Sequence, residues 1–172
     1  MSCVTNVCYL AEKIKISPSI SIQFRCHIEQ QIDFKFLPIS INVFDVDHNL
    51  NELSKFISIP ERTCTHCNAQ MKVKVLCNNI VFIDCQKADS FTPYKNITID
   101  DIQSEIVLHD NIFLLRGVIH FDIPIRRNEI GHYISLLVRP NGKWEVFDDL
   151  RKKPSRTFKH VNPVLMIYAK ST

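Results

Sequence analysis

Residues 131–149 constrain the fold of this chain more narrowly than any other part of the sequence. Two strand-like runs flank a Pro-Asn-Gly loop at 140–142. A three-residue hairpin loop is commonly a type I turn followed by a residue in the left-handed region, and proline, asparagine and glycine suit these positions in that order. The loop therefore predicts an antiparallel hairpin in which Arg139 pairs with Lys143.

The same register predicts which polar side chains meet at the open end of the hairpin. It pairs Ile134 with Asp148, so that His132 and Asp148 lie on one face as diagonal neighbours within hydrogen-bonding reach. A two-residue turn would shift the register by one residue and bring Asp149 beside the imidazole instead; the Pro-Asn-Gly loop favours Asp148. An imidazole that a carboxylate orients is two thirds of a nucleophilic triad. The alternative, left open by the spacing, is that both residues merely form the rim of a hairpin.

Strand-like runs dominate the remaining sequence and predict the fold class. They are rich in isoleucine, valine and phenylalanine and are bounded by asparagine, aspartate, proline and serine. Only 49–57 has apolar residues at helical spacing, and 99–104 suits a short helical turn. We therefore expect an α+β fold that is mainly antiparallel β with few helices. The predicted strands are 20–25, 34–44, 71–76, 80–85, 105–108, 112–121, 133–138, 144–147 and 164–168.

The composition narrows the classes of function. The 172 residues, 45% hydrophobic and 23% charged, suit a single packed domain. The net charge is only +3 and the basic residues are dispersed, so we expect no nucleic-acid partner. Apolar runs are shorter than the about 20 residues of a membrane span, and no secretory leader is recognisable. We therefore expect a cytoplasmic or nuclear protein with reduced cysteines and no membrane partner; its oligomeric state stays open.

Three blocks of sequence together resemble a known family. The central block is Gly131-His132-Tyr133, followed across the turn by Lys143-Trp144 and Phe147-Asp148-Asp149. Residues 113–121 resemble the strand that precedes this block in the family, and 162–170 resemble the closing strand. In these motifs and their order the sequence resembles the ubiquitin-specific proteases, the large papain-like family of deubiquitinases, over residues 21–172.

This resemblance implies an architecture and an activity. Residues 1–20 would be a short N-terminal segment and thumb remnant, 21–92 a fingers-like region and 93–172 a palm-like catalytic half, all within one domain. The chain would hydrolyse isopeptide or peptide bonds at the C terminus of ubiquitin or a ubiquitin-like protein. His132 would be the general base, Asp148 its orienting partner and Asp149 a second polar contributor. The missing side chain of Gly131 would let the ubiquitin tail approach the backbone closely.

The nucleophile implied by the resemblance is a cysteine at the start of a helix, where the thiol pKa is lowered. Cys8 is the candidate, because 5–10 (Thr-Asn-Val-Cys-Tyr-Leu) matches four positions of the cysteine box of the family. The segment lacks the glycine of that box, Cys3 stands where the oxyanion asparagine is expected, and too few residues separate Cys8 from Cys26 for a helical thumb. The second hypothesis is therefore a non-catalytic module that binds ubiquitin or another partner, or a fragment of a longer gene derived from a mobile element.

A Cys-x-x-Cys pair, Cys64 and Cys67, can bind one side of a tetrahedral zinc ion, which needs two further ligands. In the resembled family the fingers carry two such pairs; Cys26 matches the first position of the other pair, and Glu29 stands where its second cysteine would be. Cys26 with His27 or Glu29 could complete a structural zinc site, and no catalytic cofactor is expected. Alternatives are a site that has lost its metal or an unrelated zinc-binding β module. Other conceivable ligands are His66, Cys77 and Cys85.

Overall fold

The structure, a computed structural model, describes residues 17–39, 50–85, 97–122, 131–148, 150 and 159–171. Within these residues the chain forms eleven strands and two short 3-10 helices, Leu50–Phe56 and Ile99–Asp101. The strands are β1 (Ile20–Arg25), β2 (Glu29–Phe34), β3 (Lys72–Cys77), β4 (Ile80–Asp84), β5 (Ile97–Thr98), β6 (Glu105–Leu108), β7 (Asn111–Asp122), β8 (His132–Val138), β9 (Trp144–Phe147), β10 (His160–Val161) and β11 (Pro163–Lys170).

A six-stranded antiparallel sheet is built around the long strand β7. Its order is β4-β11-β7-β8-β9, and β6 pairs with the first part of β7 while β8 pairs with its second part. A register shift opposite Ile167 and Tyr168 interrupts the β7–β11 ladder. As a result β7 buries Phe113 and Leu115 before the shift and Val118 and His120 after it, because a bulge changes which face a side chain points to.

A smaller antiparallel sheet has the order β2-β1-β3. Ile20, Ile22 and Phe24 alternate along β1 and are fully buried, because successive side chains of a strand point to opposite faces. These residues join the same hydrophobic cluster as core residues of the larger sheet, such as Val118 and Leu136. Both sheets therefore share one core.

The predicted fold class, mainly antiparallel β with few helices, is confirmed. The prediction of a single strand over 34–44 is wrong for 35–38, where the chain bends and Pro38 has no N–H to donate to a ladder. Residues 40–44 lie outside the described part. Strand β2 was missed because its sequence, Glu-Gln-Gln-Ile-Asp-Phe, has few strand-forming residues. None of the helices in the described residues is long and apolar enough to cross a membrane.

Candidate functional site

The β8–β9 hairpin has the register that its loop predicts. The Arg139 N–H donates to the Lys143 carbonyl and the Gly142 N–H donates to the Arg139 carbonyl, both at 2.8 Å. Gly142 has a φ of 75°, in the left-handed region that glycine tolerates best. The ladder continues to Ser135 opposite Phe147, one step before Ile134 reaches Asp148. The predicted register is confirmed.

His132 and Asp148 meet at the open end of this hairpin. His132 begins β8, Asp148 follows the last residue of β9, and the Nε2 atom of the imidazole lies 3.3 Å from Oδ1 of the carboxylate. The Asp148 side chain is only 5% exposed, and its Oδ1 also accepts the Leu150 N–H at 3.0 Å. Nε2 is shielded from solvent and makes no well-aligned hydrogen bond within the described residues. The predicted proximity of the two groups is confirmed.

A second carboxylate approaches the ring from its other side. Asp122 is the last residue of β7, lies directly opposite His132 in the ladder, and places Oδ2 3.9 Å from Nδ1. Its side chain is 51% exposed, whereas that of Asp148 is almost buried. Nδ1 is therefore the ring nitrogen on the more open side. Sequence reasoning missed Asp122, because the segment between β7 and β8 carries no turn motif that fixes their register.

His120, two residues before Asp122 on β7, joins this strand to the start of β11. The buried His120 accepts the Asn162 N–H on Nδ1 at 2.8 Å. Burial lowers the pKa of His120 below its usual range, since desolvation disfavours the charged imidazolium. The neutral ring acts here as a hydrogen-bond acceptor that joins two strands.

The glycine before His132 serves internal packing. A Cβ atom on Gly131 would lie 2.5 Å from Cζ of Phe121 and 2.6 Å from the Asp122 carbonyl oxygen. The space that the sequence analysis assigned to an approaching ubiquitin tail is thus taken by β7. The absence of a side chain at 131 allows the end of β7 to close against the start of β8.

The structure brings together two of the four predicted catalytic residues, His132 and Asp148. Cys8 and Asp149 lie outside the described residues. Their roles as nucleophile and second polar contributor stay predictions.

A second cluster lies where the β1–β2 turn meets the Cys-x-x-Cys loop. The metal-binding atoms of Cys26, His27, Cys64 and Cys67 all lie within 4.8 Å of one another. The Sγ atom of Cys26 is 3.4 Å from Sγ of Cys67 and 3.4 Å from Nδ1 of His27. Cysteine sulfur and imidazole nitrogen are ligands that zinc prefers. The cluster could therefore hold a structural zinc ion.

Electrostatics within this cluster favour one thiolate in particular. The backbone N–H groups of His66 and Cys67 donate hydrogen bonds to the Cys64 sulfur and, as the main causes, lower its pKa to about 6. The hydrogen bond with the Cys67 thiol instead raises the pKa of Cys26. Since a metal is bound by thiolates, the Cys64 sulfur is better suited than the Cys26 sulfur to act as the first ligand.

Comparison with known proteins gives one similar sequence and a group of similar structures. No protein-family model matches the sequence. The chain is 24% identical over 169 residues to the 120.7 kDa protein in the NOF-FB transposable element of Drosophila melanogaster. This match covers 87% of the chain but only 16% of that protein. The chain thus corresponds to less than a fifth of this relative.

Among solved structures, chains of the SAGA DUB module are similar to this chain. One structure of the Ubp8/Sgf11/Sus1/Sgf73 module matches with a TM-score of 0.54 and 14% identity, covering 98% of this chain and 43% of the other. A second structure of this module matches with a TM-score of 0.53 and 15% identity, and the match covers 100% of this chain and 43% of the other. A third, in which Ubp8 carries a point substitution, matches with a TM-score of 0.51 and 15% identity, and the match covers 91% of this chain and 39% of the other. What is shared is the fold. The chain spans about two fifths of the chains it resembles.

Proposed function

We propose that this chain is the palm and fingers of a ubiquitin-specific protease fold and acts on ubiquitin or a ubiquitin-like protein as a thiol-dependent hydrolase. The observation that carries the proposal is the contact between His132 and Asp148, in which a nearly buried carboxylate lies 3.3 Å from Nε2. Ubiquitin as the partner is supported by the fold that the chain shares with chains of the DUB module.

In the proposed mechanism the imidazole moves a proton while Asp148 holds the ring. Nδ1 of His132 accepts the proton of a cysteine thiol, for which Cys8 is the candidate, and the thiolate attacks the carbonyl carbon of the last ubiquitin residue. His132 then returns the proton to the leaving amine, and a thioester remains. Water, deprotonated by the same imidazole, hydrolyses the thioester and frees the cysteine. Asp149 would add a polar contact near the site.

The metal cluster has no part in these steps. If Cys26, Cys64 and Cys67 bind zinc, the ion stabilises the fingers-like region, and the hydrolysis needs no cofactor. Zinc would supply a cross-link between two chain segments, since a closed site with four protein ligands leaves no position for substrate.

A second candidate function, a non-catalytic module that binds ubiquitin or another partner, is favoured by Asp122. Its carboxylate lies 3.9 Å from Nδ1, on the side where the thiol of an active protease would have to stand. Two carboxylates thus flank the imidazole within 4 Å, and these contacts connect three strand ends without any nucleophile. In such a module His132 would be a structural residue that ties the ends of β7, β8 and β9 together.

A ubiquitin probe with a C-terminal electrophile distinguishes the two functions. The protease hypothesis predicts covalent labelling that is lost in Cys8→Ser, strongly reduced in His132→Ala and unchanged in Cys77→Ser, whose thiol lies on β3 outside the site. Absence of labelling together with measurable ubiquitin binding would establish the non-catalytic module. Absence of both labelling and binding would contradict both hypotheses.

A further inference from the structure

We propose that the open edge of β3 binds an extended acidic segment of a partner protein, which would add a fourth strand to the small sheet. The order of this sheet is β2-β1-β3, so β3 is paired on one side only. From Lys72 to Cys77 its other side has no backbone partner within the described part of the chain. This surface takes no part in the proposed hydrolysis, and the inference does not depend on that function.

Two hydrogen bonds show which backbone groups of β3 face the open edge. The Asn78 N–H, directly after β3, donates to the Ser19 carbonyl, directly before β1, at 3.0 Å. The Met71 N–H, directly before β3, donates instead to the Arg62 carbonyl at 2.9 Å. Since consecutive residues of an antiparallel strand direct their backbone groups to opposite sides, even-numbered residues pair with β1 and odd-numbered residues face outward. The outward N–H and C=O groups are those of Val73, Val75 and Cys77.

A short piece of the chain already pairs along this side, just before β3. Thr63 forms an isolated antiparallel bridge with Gln70. The same register would place Pro60 opposite Val73, and proline has no N–H to donate to the Val73 carbonyl. The internal pairing therefore ends before β3 begins, and a strand from another protein could continue it.

The side chains of β3 give its two faces different chemistry. Lys72 and Lys74 lie opposite Arg25 and Gln23, on the outer face of the sheet. Both lysines are exposed, and neither forms an ion pair within the described residues. Between them, Val73 points to the core face but is 44% exposed at the open edge. A strand that pairs here would meet two cations on one face and an uncovered apolar side chain on the other.

This pattern selects a partner strand in which acidic and apolar residues alternate. Aspartate or glutamate on the outer face would form cross-strand pairs with Lys72 and Lys74, and a valine or isoleucine between them would cover Val73. Backbone hydrogen bonds to β3 would contribute affinity, and the alternating side chains would contribute specificity. β3 contains no proline and its register with β1 has no bulge, so the edge is regular enough to accept a strand.

A second copy of this chain fits the edge less well than a different protein. β3 against β3 of another copy would gather the lysines of both strands on one face, which like-charge repulsion disfavours. β2 has carboxylates on the outer face, but these already have partners in their own sheet. Glu29 Oε1 lies 3.2 Å from Arg25 Nε. Asp33 Oδ1 accepts a hydrogen bond from the Gln31 side chain at 2.8 Å.

Amide hydrogen exchange measured by NMR tests the edge with a short synthetic peptide in which aspartate and valine alternate. In the free chain the outward amides of Val73 and Val75 should exchange faster than the inward amide of Lys74. At about 1 mM peptide the exchange of both valine amides should slow at least about tenfold, while exchange in β7 and β8 stays unchanged. The matched peptide with lysine in place of aspartate should have no effect. Equal slowing by both peptides, or slowing by neither, would overturn the proposal.

Proline substitutions separate binding from folding. Val73→Pro removes an N–H that the sheet itself does not use. Its thermal midpoint should stay close to that of the wild type, while its affinity for the acidic peptide falls at least about tenfold. Lys74→Pro removes an N–H that pairs with β1 and should lower the midpoint clearly. Equal destabilisation by the two variants would show that the outward groups are wrongly assigned, and unchanged peptide affinity in Val73→Pro would contradict strand addition.

Charge variants and the oligomeric state test the choice of partner. Lys72→Gln and Lys74→Gln should each weaken binding of the acidic peptide and reduce its salt dependence. Lys143→Gln, at an exposed position in the β8–β9 loop, is the control and should change neither. Analytical ultracentrifugation should give the same oligomeric state for the wild type and Val73→Pro. Peptide binding that is independent of both β3 lysines, or self-association that Val73→Pro abolishes, would overturn the acidic partner.

Discussion

At the scale of single residues, Gly131 determines how closely β7 and β8 approach each other. A Cβ there would lie 2.6 Å from the Asp122 carbonyl oxygen, which is backbone and cannot turn away. We expect Gly131→Ala to lower the free energy of unfolding by about 1–3 kcal/mol, because it overpacks a filled space. Urea denaturation measures the change.

Gly142→Ala is the matched control for this substitution. A Cβ on Gly142 would meet no heavy atom within 4 Å, but its φ of 75° strains any L side chain. Its loss of stability, about 1–2 kcal/mol, should leave the NMR signals of the His132 ring unchanged. Gly131→Ala should shift them, and a Gly131→Ala protein with wild-type stability and spectrum would contradict the packing argument.

His120 should make stability depend on pH. Its pKa is lowered by burial, so the unfolded chain takes up a proton at a higher pH than the folded chain does. The contribution of the neutral His120 ring to the free energy of unfolding is then fully present above the ordinary histidine pKa of about 6.5, and it decreases as the pH drops below that value. His120→Gln removes this titration and should give a shallower decrease between about pH 7 and 5.

Unfolding free energies of both proteins across this pH range test the prediction. The difference between wild type and variant isolates His120 from the other histidines, which are common to both. Equal slopes would show that His120 does not resist protonation in the folded protein.

The contact between His132 and Asp148 could be predicted from sequence, because one local turn determines the register of the whole hairpin. Asp122 could not, since its partner β8 follows a segment with no turn signature. Gly131 was interpreted as a substrate contact for the same reason: the ring and carbonyl that fill its space belong to β7, whose alignment with β8 the sequence leaves undetermined.

At the scale of elements, Trp144 and His132 should contribute differently to the β8–β9 hairpin. Trp144 is partly buried and packs against the core cluster, whereas His132 lies at a strand end. Trp144→Ala should lower the free energy of unfolding strongly. Replacing a core aromatic residue by alanine costs about 3–5 kcal/mol, which is the upper limit for this partly buried side chain. His132→Ala should unfold near the wild-type temperature. Thermal denaturation followed by circular dichroism compares them, and the reverse order would show that the two residues are misassigned.

Several strands were predicted almost to the residue, and their chemistry explains why. β1, β6 and β9 are short runs of branched and aromatic residues between polar ones, so local sequence determines their bounds. The helical spacing over 49–57 corresponds to a 3-10 helix at Leu50–Phe56. Strand β2 has no such local pattern; its backbone instead pairs with the edge of β1 that β3 leaves open.

At the scale of the whole molecule, the order of strands was beyond sequence reasoning. β4 follows β3 after a two-residue gap, yet β3 pairs in the small sheet and β4 in the large one. Likewise, the cysteine of the β1–β2 turn reaches the Cys-x-x-Cys loop only because β1 pairs with β3 in the register of Arg25 opposite Lys72. Such long-range pairings depend on how a shared core is filled, which no local pattern specifies.

Ser19 joins the two sheets, which makes it a test of how far they fold as one unit. Its hydroxyl accepts the Phe82 N–H from β4 at 2.8 Å and donates to the Lys35 carbonyl beyond β2. Ser19 is fully buried, so Ser19→Ala leaves a strand amide without its partner and should cost about 1–3 kcal/mol. The exposed Ser58→Ala is the control and should change stability by less than about 0.5 kcal/mol.

Urea denaturation with two probes distinguishes local from global effects of Ser19→Ala. If the sheets unfold together, Trp144 fluorescence in the large sheet and amide exchange in β1 should report the same loss of stability. Such coincidence is expected, because Ile22 of β1 and Val118 of β7 belong to one hydrophobic cluster. A loss of stability confined to β1–β3 would show instead that the small sheet unfolds as a separate cooperative unit. The shared core would then not be sufficient to couple the unfolding of the two sheets.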